Sequence, residues 1–350
     1  MTEHEKYMHR CIELAANGLG SVAPNPLVGA VLVRDGKIIG EGFHHRFGDA
    51  HAEVNAINSF LKSSGNYAKE LGNATLYVNL EPCNHKGKTP PCTELIIKHK
   101  IPEVVIGCAD PNPFVAGKGI ETLRSAGCEV ITGVLEKESW ELNKRFITYH
   151  THKRPYVILK FAQSKDGFLS PENFMSKEES WLTNEWSRKL VHKWRNEVQA
   201  VMIGTNTANT DNPLLTIRMW SGKNPVRIVI DRKLRLPSSL NIFNNEAPTV
   251  IFNELKSERK NNLKYVKMDF HYPLEEMLHV LYIEEIQSLI VEGGAKLLNS
   301  FIEKNLWDEA RVFTAHKFFI RGIKAPAIPA GAVSKENIEG DELQIFRNTF

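Results

Sequence analysis

Apolar positions along the first 150 residues switch between helical and strand spacing, and the switches mark the elements. Residues 3–17 place Met8, Cys11, Ile12 and Ala15 on one face, which predicts a helix closed by Asn17-Gly18. Pro24-Asn25-Pro26 makes a stiff turn into a strand at 28–33. Asp35-Gly36 then signals a hairpin, with 37–43 returning antiparallel. His51 opens a helix that runs through Val54, Ile57 and Phe60. Residues 74–80 alternate like a strand and lead into Glu81-Pro82-Cys83. Pro90-Pro91 starts the next helix, with Cys92 in its first turn. A strand at 103–108, a helix at 118–125 closed by Gly127, a strand at 129–133 and a helix at 136–149 complete this half. Strands alternating with helices after the hairpin predict a three-layer α/β/α sandwich.

The charged stretch from His150 to Pro155 marks a boundary, giving domains at 1–150 and 151–350. A second α/β pattern follows it. Strands are expected at 156–162, 200–203, 226–230, 249–252, 265–269, 288–291 and 310–314. Helices are expected at 184–196, 274–284 and 296–304. The strand at 288–291 ends in Glu292-Gly293-Gly294 ahead of a helix, where bare backbone N–H groups suit a phosphate. A glycine turn without ligand fits that segment equally well. No Gly-x-Gly-x-x-Gly occurs, so a standard dinucleotide fingerprint is not supported.

Composition changes this picture little. A chain of 350 residues with 42% hydrophobic and 24% charged residues reads as two globular domains. The formal charge of +3 gives no basic groove for nucleic acid. No apolar run reaches the roughly 18 residues of a membrane span, and Met1-Thr2-Glu3-His4-Glu5-Lys6 is no signal-peptide core. Five cysteines and no secretory signal argue for a reduced cytoplasm rather than a disulfide framework. Cys11, Cys108 and Cys128 read as buried small hydrophobes.

Cys83 and Cys92 have different neighbours. With His51 they supply the thiolate and imidazole set that zinc prefers, leaving a fourth position open. Glu53 lies two residues beyond His51, placed to move protons without ligating. Water activated at such a centre can attack an amidine carbon, with the carboxylate serving the departing amine. Two bland readings compete: a closed structural site with His85 as fourth ligand, and unrelated buried cysteines. Glu53 argues against the first, and a loop of prolines and Gly87 against the second. His44, His45 and His99 read as solvated or locally bonded.

His51-Ala52-Glu53 followed by Glu81-Pro82-Cys83 resembles the zinc cytidine/deoxycytidylate deaminase superfamily. That superfamily usually has Pro-Cys-x-x-Cys, whereas eight residues separate Cys83 from Cys92. The form Pro82-Cys83-x-His85-x-Gly87-x-Thr89-Pro90-Pro91-Cys92 is similar to the deaminase of riboflavin biosynthesis. Pro24-Asn25-Pro26-x-Val28-Gly29 and Asp110-Pro111-Asn112-Pro113 look like that family too, and Ala50 stands where it often has Pro. The resemblance implies Zn2+ on His51, Cys83 and Cys92, Glu53 as general acid/base and Asn25 against the pyrimidine. The loop from Cys83 to Cys92 would help enclose substrate.

The second half carries its own ordered set. Lys160 to Gly167, Trp181-Leu182-Thr183, His192-x-x-Arg195, Gly204-Thr205-x-Thr207, Asp211 to Arg218 and Glu292-Gly293-Gly294 occur in sequence. Together these resemble the dihydrofolate-reductase-like reductase partner of the same deaminase, which uses NADPH. The resemblance implies that Ala162, Trp181, Thr207, Asp211 and Gly294 line the cofactor. Arg195, Leu215, Arg218 and Glu292 would hold the substrate, the arginines suiting its phosphate. Three departures stand out: Lys165 replaces a usual Leu, Glu179 a usual Ser, and the segment 168–178 is a few residues long. The whole chain thus resembles the bifunctional riboflavin-pathway deaminase–reductase family. Its expected substrate is a phosphorylated diamino-ribosylamino-pyrimidinone, deaminated and then reduced from ribosyl to ribityl. A cytoplasmic homo-oligomer without nucleic-acid or membrane partners is expected. The rival reading is a zinc nucleotide or nucleic-acid deaminase with a degenerate, non-reducing second domain.

Overall fold

Alternation of side chains along the strands decides which residues meet which helices. A computed structural model of the chain describes residues 1–64, 68–85, 90–112, 115–172 and 181–348. It divides into two units, Met1–Lys153 and Arg154–Phe350. In the first, α1 (Glu3–Ala16) opens on a capping box between Thr2 and Glu5. The hairpin β1 (Gly29–Arg34) and β2 (Lys37–Phe43) follows, then α2 (Ala52–Ser64) and β3 (Thr75–Leu80). Next come α3 (Cys92–Lys98), β4 (Glu103–Cys108), α4 (Lys118–Ser125), β5 (Glu129–Thr132), α5 (Glu136–Leu142) and α6 (Lys144–His152).

The five strands lie in the order β2-β1-β3-β4-β5, antiparallel through the hairpin and parallel from β3 onward. Successive strand residues face opposite sides. Ala30, Leu32, Leu76, Val78, Val104 and Ile106 therefore pack on Ala52, Ile57 and Phe60 of α2, Ile96 of α3 and Leu123 of α4. Val31, Val33, Tyr77 and Val105 pack on Tyr7, Met8, Cys11 and Leu14 of α1. Two helical layers thus cover one sheet, the expected α/β/α sandwich. Gly29 is the closest helix–sheet approach: a Cβ there would lie 2.1 Å from the Cys11 carbonyl oxygen.

The second unit contains β6 (Tyr156–Gln163), β7 (Phe168–Pro171), α7 (Glu185–Glu197), β8 (Ala200–Gly204), α8 (Thr205–Asp211) and β9 (Val226–Ile230). It continues with β10 (Thr249–Asn253), β11 (Glu258–Lys260), β12 (Leu263–Lys267), α9 (Pro273–Ile283), β13 (Ser288–Val291) and α10 (Ala295–Glu303). The chain ends through β14 (Glu309–Thr314), β15 (Gly322–Lys324), β16 (Ala332–Ile338) and β17 (Asp341–Arg347). Ten strands form one sheet ordered β11-β12-β10-β9-β8-β13-β6-β14-β17-β16. From β12 to β14 all neighbours are parallel, and antiparallel pairs finish both edges. One face packs Leu159, Met202, Phe252 and Val291 on α9 and α10; the other packs Ile158, Val201 and Ile290 with Val191 and Trp194 of α7.

Several elements differ from their sequence expectation. The helix expected at 136–149 is two helices, broken at Asn143 with φ −96° and ψ 13°. The strand expected at 265–269 starts two residues earlier, because Leu263 pairs with Thr249 of the central sheet. The helix α8 and the strands β7, β11, β15, β16 and β17 were not expected. Gly87, Thr89, Pro113 and Glu179 lie outside the described residues.

Candidate active sites

The carboxyl end of β3 and the starts of α2 and α3 converge on the first site. His51 immediately precedes α2, Glu53 lies in its first turn, and Cys92 begins α3. Cys83 follows β3 after Glu81-Pro82. His51 Nδ1 lies 3.5 Å from Cys83 Sγ and 3.3 Å from Cys92 Sγ. The three ligand atoms all lie within 4.8 Å of one another. A tetrahedral zinc with Zn–S of about 2.3 Å and Zn–N of about 2.0 Å separates N and S ligands by about 3.5 Å. The triad has that spacing. Among the described residues it is the one such cluster, and His85, exposed, is not part of it. That removes the support for a closed site.

Local hydrogen bonds hold the two cysteines. The Cys92 amide donates to Cys83 Sγ at 3.3 Å, the Thr93 amide donates to the Cys83 carbonyl at 3.3 Å, and the Thr93 hydroxyl donates to Asn84 Oδ1 at 2.9 Å. The hydrogen bond from the Cys92 thiol, and then His51, hold the Cys83 thiol well below its ordinary range against the effect of burial. Cys92 is correspondingly driven up, first by that thiolate and then by burial. A divalent cation bound here would displace the thiol protons. Glu53 is buried and bonds to the Cys92 thiol; burial, then the Cys83 charge, pushes its carboxyl up to about 7.

Glu81, buried directly upstream of Cys83, accepts four backbone N–H groups: Gly117 at 3.0 Å, Gly119 at 2.9 Å, Asp110 at 3.2 Å and Ile120 at 3.3 Å. It ties the end of β3 to the start of α4. Gly119 is required there, since a Cβ would lie 2.3 Å from the Pro82 carbonyl oxygen. Asn25 reaches the same region through His44. His44 Nδ1 lies 3.0 Å from the Ala50 carbonyl oxygen, and its Nε2 lies 3.0 Å from Asn25 Nδ2. A carbonyl only accepts, so Nδ1 carries the proton and Nε2 accepts from the Asn25 amide. Burial lowers the His44 pKa and keeps the ring neutral. His44 is thus locally bonded, as expected, and its edge faces His51 at 5.5 Å between centroids.

In the second unit the expected substrate residues meet, with one surprise. Arg195 on α7 donates from Nε and Nη2 to the two oxygens of Glu292, each at 2.7 Å, and from Nη1 to the Thr216 carbonyl at 3.1 Å. Its guanidinium is therefore engaged before any phosphate arrives. Arg218 is more open: it lines a cavity of about 330 Å³ with Thr216, Ile217, Asn224 and Glu246. Leu215, buried with φ +56°, turns the chain between them. Burial alone would raise the Glu292 carboxyl, but Arg195 outweighs it and holds Glu292 at about 2. Two residues quoted only within longer runs join this cluster. Lys160 is lowered by burial and interacts with Glu292, and His192 is lowered to about 4 by burial, Arg195 and Arg218.

The expected cofactor residues are brought together in part. A Cβ on Gly293 would lie 3.0 Å from Ile203 and 3.1 Å from Thr207 Oγ1, and one on Gly294 equally close to Thr207. Only glycine leaves the nine-residue helix α10 with so bare an N-terminus beside Thr207, a cradle that fits a cofactor phosphate. Asp211 ends α8, and Ala162 lies on β6 opposite Phe313. Trp181 is 59% exposed under the Arg188 guanidinium.

Comparison with known proteins matches both halves. The sequence profile of the cytidine and deoxycytidylate deaminase zinc-binding region covers residues 1–108, and that of the RibD C-terminal domain covers 155–328. The chain is 41% identical to the riboflavin biosynthesis protein RibD of Aquifex aeolicus (strain VF5), across 98% of this chain and 97% of that one. It is 43% identical to the RibD of Bacillus amyloliquefaciens, across 93% and 88% of the two chains. Among solved structures, a diaminohydroxyphosphoribosylaminopyrimidine deaminase/5-amino-6-(5-phosphoribosylamino)uracil reductase from Thermotoga maritima is 41% identical, with a TM-score of 0.89 over 99% of both chains. The Acinetobacter baumannii RibD is 31% identical, with a TM-score of 0.88 over 99% of both. The first unit is accordingly cytidine-deaminase-like and the second dihydrofolate-reductase-like. With matches of this extent on both sides of the boundary, the chain belongs to the RibD family of bifunctional riboflavin-biosynthesis deaminase–reductases.

Proposed function

We propose that residues 1–150 hydrolyse an amino group from 2,5-diamino-6-ribosylamino-pyrimidinone 5′-phosphate, and that 151–350 then reduce the ribosyl group of the aminouracil product to ribityl. The observation that carries the first step is a buried carboxyl, Glu53, against a triad spaced for one zinc ion. His51, Cys83 and Cys92 would hold a zinc ion, which would supply Lewis acidity to activate water near neutral pH. Glu53 receives the proton of the attacking water at its carboxylate oxygens and returns it to the departing amine nitrogen. Asn25, oriented by His44, contacts the pyrimidine. In the second step NADPH supplies the hydride. Ala162, Trp181, Thr207, Asp211 and Gly294 line it, while Leu215 contacts the substrate and Arg218 holds its phosphate. Arg195 acts with Glu292 as a fixed pair that shapes the pocket.

Glu53→Gln tests the first role. Zinc content should persist while ammonia release falls on the order of 10²-fold or more; unchanged release would remove the assignment. NADPH oxidation by the deaminated substrate tests the second. Absence of oxidation would mark Lys165 and Glu179 as signs of a lost reductase, but the profile match over 155–328 does not favour that alternative. No helix among the described residues is long and apolar enough to cross a membrane. The near-neutral charge of +3 supports a chain without nucleic-acid partners, and the cysteine usage supports a cytoplasmic one. Exposed Phe318, Ile320 and Ile323 support a homo-oligomer, for which light scattering is the test.

A further inference from the structure

The Asn25 amide closes a turn onto the Val22 carbonyl at 2.9 Å, and the backbone just after it is held by side chains rather than by a strand. Leu27, two residues after Asn25, precedes β1 and has no ladder partner of its own there. The amide of Leu27 donates to Asn143 Oδ1 at 2.8 Å, and Asn143 Nδ2 donates back to the Leu27 carbonyl at 2.9 Å. Asn79 Nδ2 donates to the same carbonyl at 3.0 Å, and its Oδ1 accepts from Gly29 at 2.8 Å. Both asparagines are buried, Asn143 at 2% and Asn79 at 0% exposure, and the chain separation is 116 residues for Asn143. Two carboxamides thus satisfy two amides and a carbonyl that would otherwise be buried orphans. Asn143 sits at the junction where α5 ends and α6 starts.

We infer that Asn143 and Asn79 are positioning residues for deamination: they fix the 24–27 loop so that Asn25 meets the pyrimidine. This rests on Asn25 being a substrate contact. Neither asparagine belongs to the zinc triad or bonds to His51, Cys83, Cys92 or Glu53 in the contacts described. The clamp therefore acts on substrate binding and leaves the hydrolytic centre intact.

The test uses the full chain with zinc bound and the diaminopyrimidine phosphate as substrate. Asn143→Asp keeps the acceptor for the Leu27 amide and loses the donor to its carbonyl. Asn143→Leu loses both. Loss of one buried hydrogen bond corresponds to roughly tenfold in binding. Asn143→Asp should therefore raise KM about tenfold with kcat within about twofold, and Asn143→Leu should raise it further. Zinc per chain and the NADPH-dependent rate on deaminated substrate should be unchanged in both. Asn25→Ala is the companion variant. If it raises KM while neither Asn143 variant does, the clamp is wrong and the substrate contact stands. If Asn25→Ala leaves KM unchanged, the contact itself is wrong and the inference falls with it. A loss of zinc and kcat in proportion to unfolded protein in Asn143→Asp would show a purely structural asparagine and overturn the proposal.

Discussion

The two sites handle buried charge in opposite ways. At the triad, two thiols and the Glu53 carboxyl crowd one imidazole, and the three ligand atoms are spaced for a cation. At the second site, the Arg195–Glu292 pair is complete, with Lys160 and His192 beside it. The first is a site that needs a cation in order to be finished. The second already holds a bidentate ion pair before any ligand enters, with Arg218 exposed nearby. A metal centre makes its chemistry from side chains, whereas a hydride-transfer site borrows it and needs mainly shape.

This contrast can be broken most sharply by removing the metal. Treatment with a chelator, or Cys83→Ala, should lower ammonia release on the order of 10³-fold, since water then loses its activation. Reduction of pre-deaminated substrate should change less than about twofold. Parallel loss of both activities would mean that the second site is not self-sufficient.

A smaller effect tests the closed pair. Glu292→Gln leaves Arg195 buried without its counter-charge, which costs about 3–5 kcal/mol. Denaturant unfolding of the second unit should read that loss. The native carboxyl at about 2 lies below the ordinary glutamate value of 4.5, so the pair's contribution is full above about pH 5 and fades as pH falls toward 2. Wild-type protein should therefore lose stability across that window, and Glu292→Gln should show a flatter acid limb. Equal slopes would argue that the pair is not the source.

The smallest effect belongs to the surface. Arg10 forks onto Glu41 at 2.7 and 2.9 Å, but both side chains are over a third exposed. Arg10→Ala should cost less than about 1 kcal/mol in thermal unfolding. A larger loss would mean that geometry, rather than burial, ranks these pairs.

What the sequence made legible follows the same division. His51, Glu53, Cys83 and Cys92 could be named because zinc accepts few residue types, and prolines and glycine mark the loop that carries them. Central strands such as β4 and β13 were legible because both faces are buried and the apolar run is continuous. By contrast, Arg195 and Glu292 lie 97 residues apart, and nothing local announces that they pair. β16 carries Lys335, Glu336 and Asn337 on an edge with little burial, so its alternation is faint. The break at Asn143 was hidden because the residues on both sides favour helix, and the Asn143 amide and carbonyl keep helical bonds to Ser139 and Ile147. A helix interruption that serves a distant backbone leaves no periodic trace.

Glu81 has a further consequence for the loop that follows it. Its carboxylate fastens the Cys83 end to α4, while the Cys92 end is fastened by α3 itself and by Thr93. The two jaws are also tied to each other, the Cys92 amide to Cys83 Sγ and the Thr93 amide to the Cys83 carbonyl, so bonds outside residues 86–89 hold both sulfurs. Substrate choice can then evolve, or be engineered, as an exchangeable cassette laid across a fixed metal frame.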